Sequence, residues 1–476
     1  MKTPNLSNPA WNLSRRVMLK SLSSGFGYMA FAGLAAKAAE AVAKKGPLEP
    51  KQPHFKPTAK HVIFLCMSGG PSHVDTFDYK PFLQKNDGLS VTGNGRLGRA
   101  KLLASPWKFT QHGKSGLWIS ELFPEVAKHA DDLCLVRSMQ TDVPAHPQAF
   151  MQMHTGSFQF VRPSLGAWTL YGLGTENENL PGFITLNPPV NNGGSQNYGS
   201  SFLPAIYQGT RIGAEGPRIG AARSGMDMEA KVANIANSKL SAGGQRAQLD
   251  FLQTLNRERL AQDQVNPQVE GVIESYELAF RMQSEVPRVM DLSQETAATK
   301  AMYGIGEDGS DRYGKQCLLA RRMVEAGVRF VEVGSGGWDQ HRDLKNDHER
   351  NAESVDKPIA GLLADLKQRG LLKDTLVIWG GEFGRTPFAQ NTDGRDHNNK
   401  GFTIWMAGGG TKAGYSYGAT DDYGAEAVEN KVHIHDFHAT ILHMLGLNHE
   451  KLTYRYAGRD FRLTDVKGEV VKGILA

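Results

Sequence analysis

The sequence predicts an α/β fold, a mainly parallel central sheet with helices on both faces. Three observations predict it. Nearly continuous aliphatic runs, such as His61 to Met67, read as strands buried on both sides. Such runs alternate with helical patterns along the chain, the order expected of repeated strand–helix–strand units. Four of the runs also abut short groups of His, Asp and Glu, and open α/β sheets bind ligands at the carboxyl ends of their strands.

The elements follow in order. Residues 1–43 read as an export signal. Ser14-Arg15-Arg16-Val17-Met18-Leu19-Lys20 resembles the twin-arginine consensus, with Met18 where Phe is more usual, and a weakly apolar stretch runs from Ser21 to Ala36. That stretch is too short and too rich in Gly, Ser and Ala for a stable membrane span. The expected partner during export is the twin-arginine translocase, and the expected location is periplasmic or secreted. Residues 1–43 hold five Lys or Arg and one Glu, so their removal takes the formal charge from +5 to about +1. No basic block stands out, so no nucleic-acid partner is expected.

Residues 44–59, rich in Pro and Lys, read as a linker, and residues 60–476 as one large α/β domain. His61 to Met67 is the first strand. Residues 82–120 are polar and Gly-rich, a loop with a short hairpin. Glu121 to His129 reads as a helix, Leu133 to Ser138 as a strand, and a helix starts near Pro147. Gly182 to Leu186 is a short strand signal. The polar, helical stretch 240–300 reads as an insertion facing the substrate or moving over it. Gln316 to Glu325 is an amphipathic helix closed by Gly327, with a strand from Val328 to Val333 at once after it. Ala352 to Gln368 is a helix. Leu376 to Trp379 and Phe402 to Ala407 are strands. Asp436 is placed as the N-cap of a last helix. Three cysteines are too few for a disulfide framework and read as buried free thiols.

The chemistry concentrates in the four abutting groups. In SGGPSHVDTFD, His73 and Asp75 lie two apart after a tight turn, so in an extended loop both point the same way. Asp339 and His341 repeat that spacing in reverse order; the neighbouring Trp338 either walls a pocket or fills a crevice. Glu382 follows the next strand within GGEFGRTP, where Arg385 either clamps an anion bidentately or pairs with a carboxylate. Asp396 and His397 differ from the rest, for they precede their apolar run. Mixed imidazole and carboxylate ligands suit a hydrolytic divalent metal, Zn or Mn ahead of Ca or Mg. His73, Asp75, Asp339, His341, Glu382 and His397 are the expected ligands. His433, His435 and His438 surround the last helix start, as site residues or as surface imidazoles.

The stretches IFLCMSGGPSHVDTFDYKP, LLARRMVEAGVRFVEVGSGGWDQH, LVIWGGEFGRTP and GRDHNNKGFTIWMAGGG resemble an uncharacterised family of exported, sulfatase-like bacterial proteins in the alkaline phosphatase/sulfatase superfamily. The resemblance spans the whole mature chain. It implies a three-layer sandwich, one or two divalent metals, and attack on phosphate or sulfate esters, including those of saccharides. Sulfatases of that superfamily carry a nucleophilic Cys or Ser nine residues before a Thr-Gly pair. Here Thr155-Gly156 closes a similar segment, and the matching residue is His146, with neither the Ser nor the Arg of that motif. His146 is thereby left as a metal ligand, a general base or an imidazole nucleophile, and Thr141 is the nearest hydroxyl alternative. The expectation is an exported metal-dependent ester hydrolase in which His146 faces the scissile group and Arg385 binds the anion. The missing nucleophile motif keeps open a non-catalytic binding or assembly protein on the same fold.

Overall fold

The computed structural model describes residues 46–92, 99–213, 239–263 and 266–476; the expected export signal lies outside them. All seven residues of strand β1 (His61–Met67) are buried. The loop after it contains Ser68-Gly69-Gly70 and then a single helical turn, α1 (His73–Thr76). Strand β2 (Leu133–Gln140) leads to helix α2 (His146–Thr155). Pro147 suits the first turn of α2, where its missing N–H has no partner to lose, and Gly156, at φ 73°, ends the helix in the left-handed conformation. Helix α3 (Leu165–Leu173) is capped by the Ser164 hydroxyl, which accepts the Ala167 N–H.

Strands β3 (Phe183–Leu186) and β4 (Thr210–Ile212) are short. The stretch expected as a helical insertion is a helix pair, α4 (Ala242–Asp263) and α5 (Pro267–Met290). Helix α6 (Asp311–Glu325) delivers the chain to β5 (Phe330–Ser335), and α7 (Leu344–Gln368) delivers it to β6 (Thr375–Gly380). A hairpin of β7 (Gly384–Gln390) and β8 (Gly394–Asn398) comes before β9 (Phe402–Ala407). Strands β10 (Tyr415–Tyr417) and β11 (Val432–His433) precede α8 (Ile434–Met444).

Among the described residues the main sheet has nine strands in the order β10-β2-β9-β6-β1-β5-β3-β4, with β11 also paired to β2. Strands β6, β1, β5, β3 and β4 pair in parallel, as do β10 and β11 with β2. Only β9 runs against its neighbours, antiparallel to both β6 and β2. Its N-terminal end therefore lies at the same edge as the carboxyl ends of the other strands.

Helices cover both faces. Phe64 and Ile378 are register partners and point to one side, where Phe64 packs 5.9 Å from the ring of His154 on α2 and Phe183 lies against Gly166 of α3. Trp379 points to the other side, among Phe77, Phe123 and Trp338. There α7 is tied down by Asp356, whose carboxylate accepts the backbone N–H groups of Glu125 and Val126. Burial on both sides explains why the strands read as aliphatic runs rather than alternating patterns.

Three local expectations differ from the structure. The helix expected at Glu121 to His129 is instead a 3-10 stretch over Val126–Asp132. The last helix is capped by His433. Asp436 sits three residues in and closes a capping box by accepting the His433 N–H. Lys51, Phe55 and Thr58 donate their backbone N–H groups to Leu173, Gly446 and Met444, so the second half of the expected linker lies along the domain. Among the described residues no helix is long and apolar enough to cross a membrane. Cys66, Cys134 and Cys317 are buried and free.

Candidate metal centre at the carboxyl edge of the sheet

Three segments meet above this edge and together bring four side chains. His146 is the first residue of α2, after β2. Asp339 and His341 follow β5, and His397 stands on β8 ahead of β9. One ligand atom from each of these four residues lies within 4.8 Å of the others. Asp339 Oδ1 is the hub. It stands 3.2 Å from His146 Nε2, 2.9 Å from His341 Nε2 and 3.2 Å from His397 Nε2. The His341 and His397 Nε2 atoms are themselves 3.0 Å apart.

The outer nitrogen of each ring decides how the inner one is presented. His146 Nδ1 donates to Glu382 Oε1 at 2.6 Å, His397 Nδ1 to the Pro144 carbonyl at 2.8 Å, and His341 Nδ1 to Gln390 Oε1. With each proton on Nδ1, three Nε2 lone pairs point at one spot beside a carboxylate, and His146 Nε2 is buried without a hydrogen-bond partner. Imidazoles fixed through their far nitrogen in this way are typical of metal ligands. Phe383 holds two of the rings from below, its centroid 4.8 Å from His146 and 4.6 Å from His397. Asp339 is 44 % exposed, so the cluster opens to solvent on that side.

The electrostatics agree with the geometry. Burial works against the charged form of His146, but the neighbouring Asp339 and Glu382 carboxylates outweigh burial and push its pKa up to about 9. Burial likewise opposes ionisation of Asp339, yet His146, His397 and Arg385 hold its carboxyl far below the usual range. The site thus holds a carboxylate and a trapped proton where a cation fits.

The remaining sequence-predicted residues take other places. Glu382 is fully buried behind His146. It accepts the Gly69 N–H at 3.1 and 3.3 Å and so orients the ring instead of joining the cluster. Arg385 is buried with its donors committed. Nε goes to the Gly70 carbonyl, Nη1 to that of Arg395, and Nη2 to Gly69, Trp338 and, at 2.6 Å, Asp339. It braces two loops and β8 and leaves no fork free for an anion. His73 and Asp75 do not reach the cluster. They sit in a helical turn, not an extended loop, so residues two apart face different ways. Asp75 makes a bidentate pair with Arg395 at 2.7 and 3.0 Å, both side chains fully buried, and His73 Nε2 meets the Gly424 carbonyl. Thr141 donates to Gln152 rather than toward the cluster. Gln390 is the contributor that sequence reasoning missed, since nothing marks a lone Gln in a hairpin as a partner of His341.

Two glycines permit the assembly. Gly69 has φ 118°, and a Cβ there would come within 2.7 Å of the Trp338 and Asp339 backbone; at Gly394 it would lie 2.0 Å from the His341 carbonyl carbon.

A family model described as a protein of unknown function (DUF1501) matches residues 59–475. The chain belongs to the DUF1501 family. No curated protein matches it. Among solved structures similar to this DUF1501 chain, one is titled for glycosaminoglycan metabolism by Bacteroides thetaiotaomicron, at 12 % identity and TM-score 0.40, over 82 % of this chain and 73 % of that one. Another is a sulfatase from Pseudoalteromonas sp., at 13 % identity and TM-score 0.35, over 83 % and 68 %. A third is a TAB5 alkaline phosphatase mutant with Mg bound, at 11 % identity and TM-score 0.34, over 82 % and 99 %. All three scores lie below 0.5.

Proposed function

We propose that this chain is an exported, divalent-metal-dependent hydrolase of phosphate or sulfate esters, sulfatase-like in frame, acting on anionic small molecules or saccharides. One observation carries the reading: three imidazole lone pairs and the Asp339 carboxylate converge on a solvent-open point, each ring anchored through its far nitrogen. In this reading His146, His341, His397 and Asp339 hold the ion, with Zn or Mn the best match to three nitrogens and one oxygen. A bound divalent ion supplies Lewis acidity to a phosphoryl or sulfuryl oxygen and lowers the pKa of a water.

The protein's own part is positioning. Glu382 fixes the His146 ring, Gln390 fixes His341, the Pro144 carbonyl fixes His397, and Arg385 holds Asp339 against the Gly69-Gly70 turn. The exposed side of Asp339 leaves room for the ester to approach. Export through the twin-arginine translocase to the periplasm or beyond is part of the same proposal and suits a protein folded around its metal.

The test is elemental mass spectrometry on the chain expressed from about residue 44, beside an Asp339→Ala/His341→Ala variant, followed by a screen of aryl phosphates and sulfates. The expected result is Zn or Mn, one equivalent of which the variant loses, with hydrolysis lost in parallel. The same metal content in both proteins, or no metal taken up by folded wild type, would sink the proposal. Metal binding without turnover of any ester class would favour the binding protein.

A further inference from the structure

A second convergence lies deeper in the sheet. Cys66 on β1, Glu332 on β5 and His154 on α2 bring a sulfur, a carboxylate oxygen and an imidazole nitrogen within 4.8 Å of one another, and all three residues are buried. His154 Nδ1 is committed to the Phe150 carbonyl at 2.8 Å, which turns Nε2 toward Glu332 Oε2 at 3.1 Å. That approach is not aligned as a hydrogen bond, so among the described residues both atoms are buried without a hydrogen-bond partner. The other Glu332 oxygen receives a long bond, 3.4 Å, from the Thr185 hydroxyl. His154 and Glu332 also line a small cavity of 10 Å³ with Asn197, whose Oδ1 is likewise buried and unpartnered.

A bare His154–Glu332 ion pair accounts for these atoms poorly. A buried pair offsets its desolvation only when the remaining lone pairs and protons are satisfied, and here they are not. It also gives no role to the sulfur beside it. One thiolate, one imidazole and one carboxylate form a ligand set that zinc accepts in tetrahedral sites. The cavity is about the size of one water and borders two of the three residues, His154 and Glu332.

We propose that Cys66, His154 and Glu332 hold a second divalent ion, zinc by preference, in a site separate from the edge cluster and structural in role. The ion pins α2 to β1 and β5. His146 is the first residue of that helix, eight positions before His154 and therefore about 12 Å along the axis. The deep ion thereby fixes the helix on which the edge cluster depends.

Cobalt separates the two sites, because only the deep one contains a thiolate. The full-length mature chain is produced in minimal medium with Co²⁺ as the transition metal, then assayed for bound cobalt and its near-ultraviolet thiolate-to-cobalt charge-transfer band. Wild type and Asp339→Ala/His341→Ala should both show the band. Cys66→Ala should lose the band and one equivalent of cobalt while keeping cobalt at the edge. Glu332→Gln, a near-isosteric change, provides a second variant should Cys66→Ala fail to fold, and it should lose the same equivalent. Wild type lacking the band, or either folded variant keeping its full metal count, overturns the deep site without touching the edge one. Wild type that carries cobalt only with the band, none of it lost in Asp339→Ala/His341→Ala, sinks the edge reading and leaves this one standing.

Discussion

If His146 is a ligand of the edge metal, then metal must displace its proton. In the metal-free protein that proton is held with a pKa of about 9, through Asp339 and Glu382. At pH 7 a proton so held competes with metal by a factor of about 100 relative to pH above 9. The ring is partly exposed, and solvent screening trims this to roughly 10- to 100-fold. Apparent affinity should therefore climb from pH 7 to pH 9 and then level. Titration calorimetry with Mn²⁺ at pH 7.5, in buffers of different ionisation enthalpy, should show release of about one proton per ion bound. Glu382→Gln removes one of the two carboxylates that raise the pKa, so the plateau should begin at lower pH and proton release at pH 7.5 should shrink. A pH-independent affinity with no proton release would mean that His146 does not bind the ion. Unchanged release in Glu382→Gln would mean that this carboxylate does not control the ring.

Four further outcomes follow from the geometry. Asp75→Asn leaves Arg395 buried without a counter-charge and should cost about 3–5 kcal/mol in urea unfolding, yet the folded variant should retain its full metal content; metal loss without destabilisation would restore Asp75 as a ligand. Gln390→Leu frees the far nitrogen of His341 and should weaken edge-metal binding about 10- to 100-fold, read by chelator competition. Gly69→Ala forces a Cβ into the Trp338–Asp339 backbone at a positive φ. It should therefore lower both thermal stability and edge-metal affinity, seen together in melts with and without added metal. His438 is buried and neutral, and burial drives its pKa down to about 3 despite its bond to the Met153 carbonyl. The stability it contributes is present above the unfolded value of about 6.5 and is lost as pH falls toward 3. His438→Asn should therefore lose about 2 kcal/mol less than wild type between pH 7 and pH 5 by urea midpoint.

The sheet was legible because parallel strands buried on both faces leave unmistakable aliphatic runs. His61–Met67 and Phe402–Ala407 coincide with their sequence-predicted limits. Asp339, His341 and His397 were legible for a related reason, since each sits where such a run meets a polar loop. The reversed position of His397, ahead of its strand, looked anomalous in one dimension. It follows directly from the antiparallel course of β9. What escaped was everything set by contact across the chain. Whether His73 and Asp75 share a face depends on one helical turn after Gly70. Glu382 belongs behind His146 because the Gly69 N–H draws it there, and Arg385 is consumed by carbonyls from two loops and β8. No spacing rule reports those partners, and residue type alone made all four look like ligands or clamps.

The course of β9 has one more consequence. The chain leaves the sheet after Gly380 and re-enters it at Phe402 from the same side, so the β7–β8 hairpin stands over the edge like an awning with both feet in the frame. Arg385 and His397 lie near the feet, whereas Asn391 and Thr392 form an exposed tip. Asn391 donates to the His341 carbonyl, so changes at Thr392 are the ones that reshape the approach to the cluster without moving a strand. Variation in what related chains admit to this edge is therefore expected to accumulate there, while the feet stay fixed.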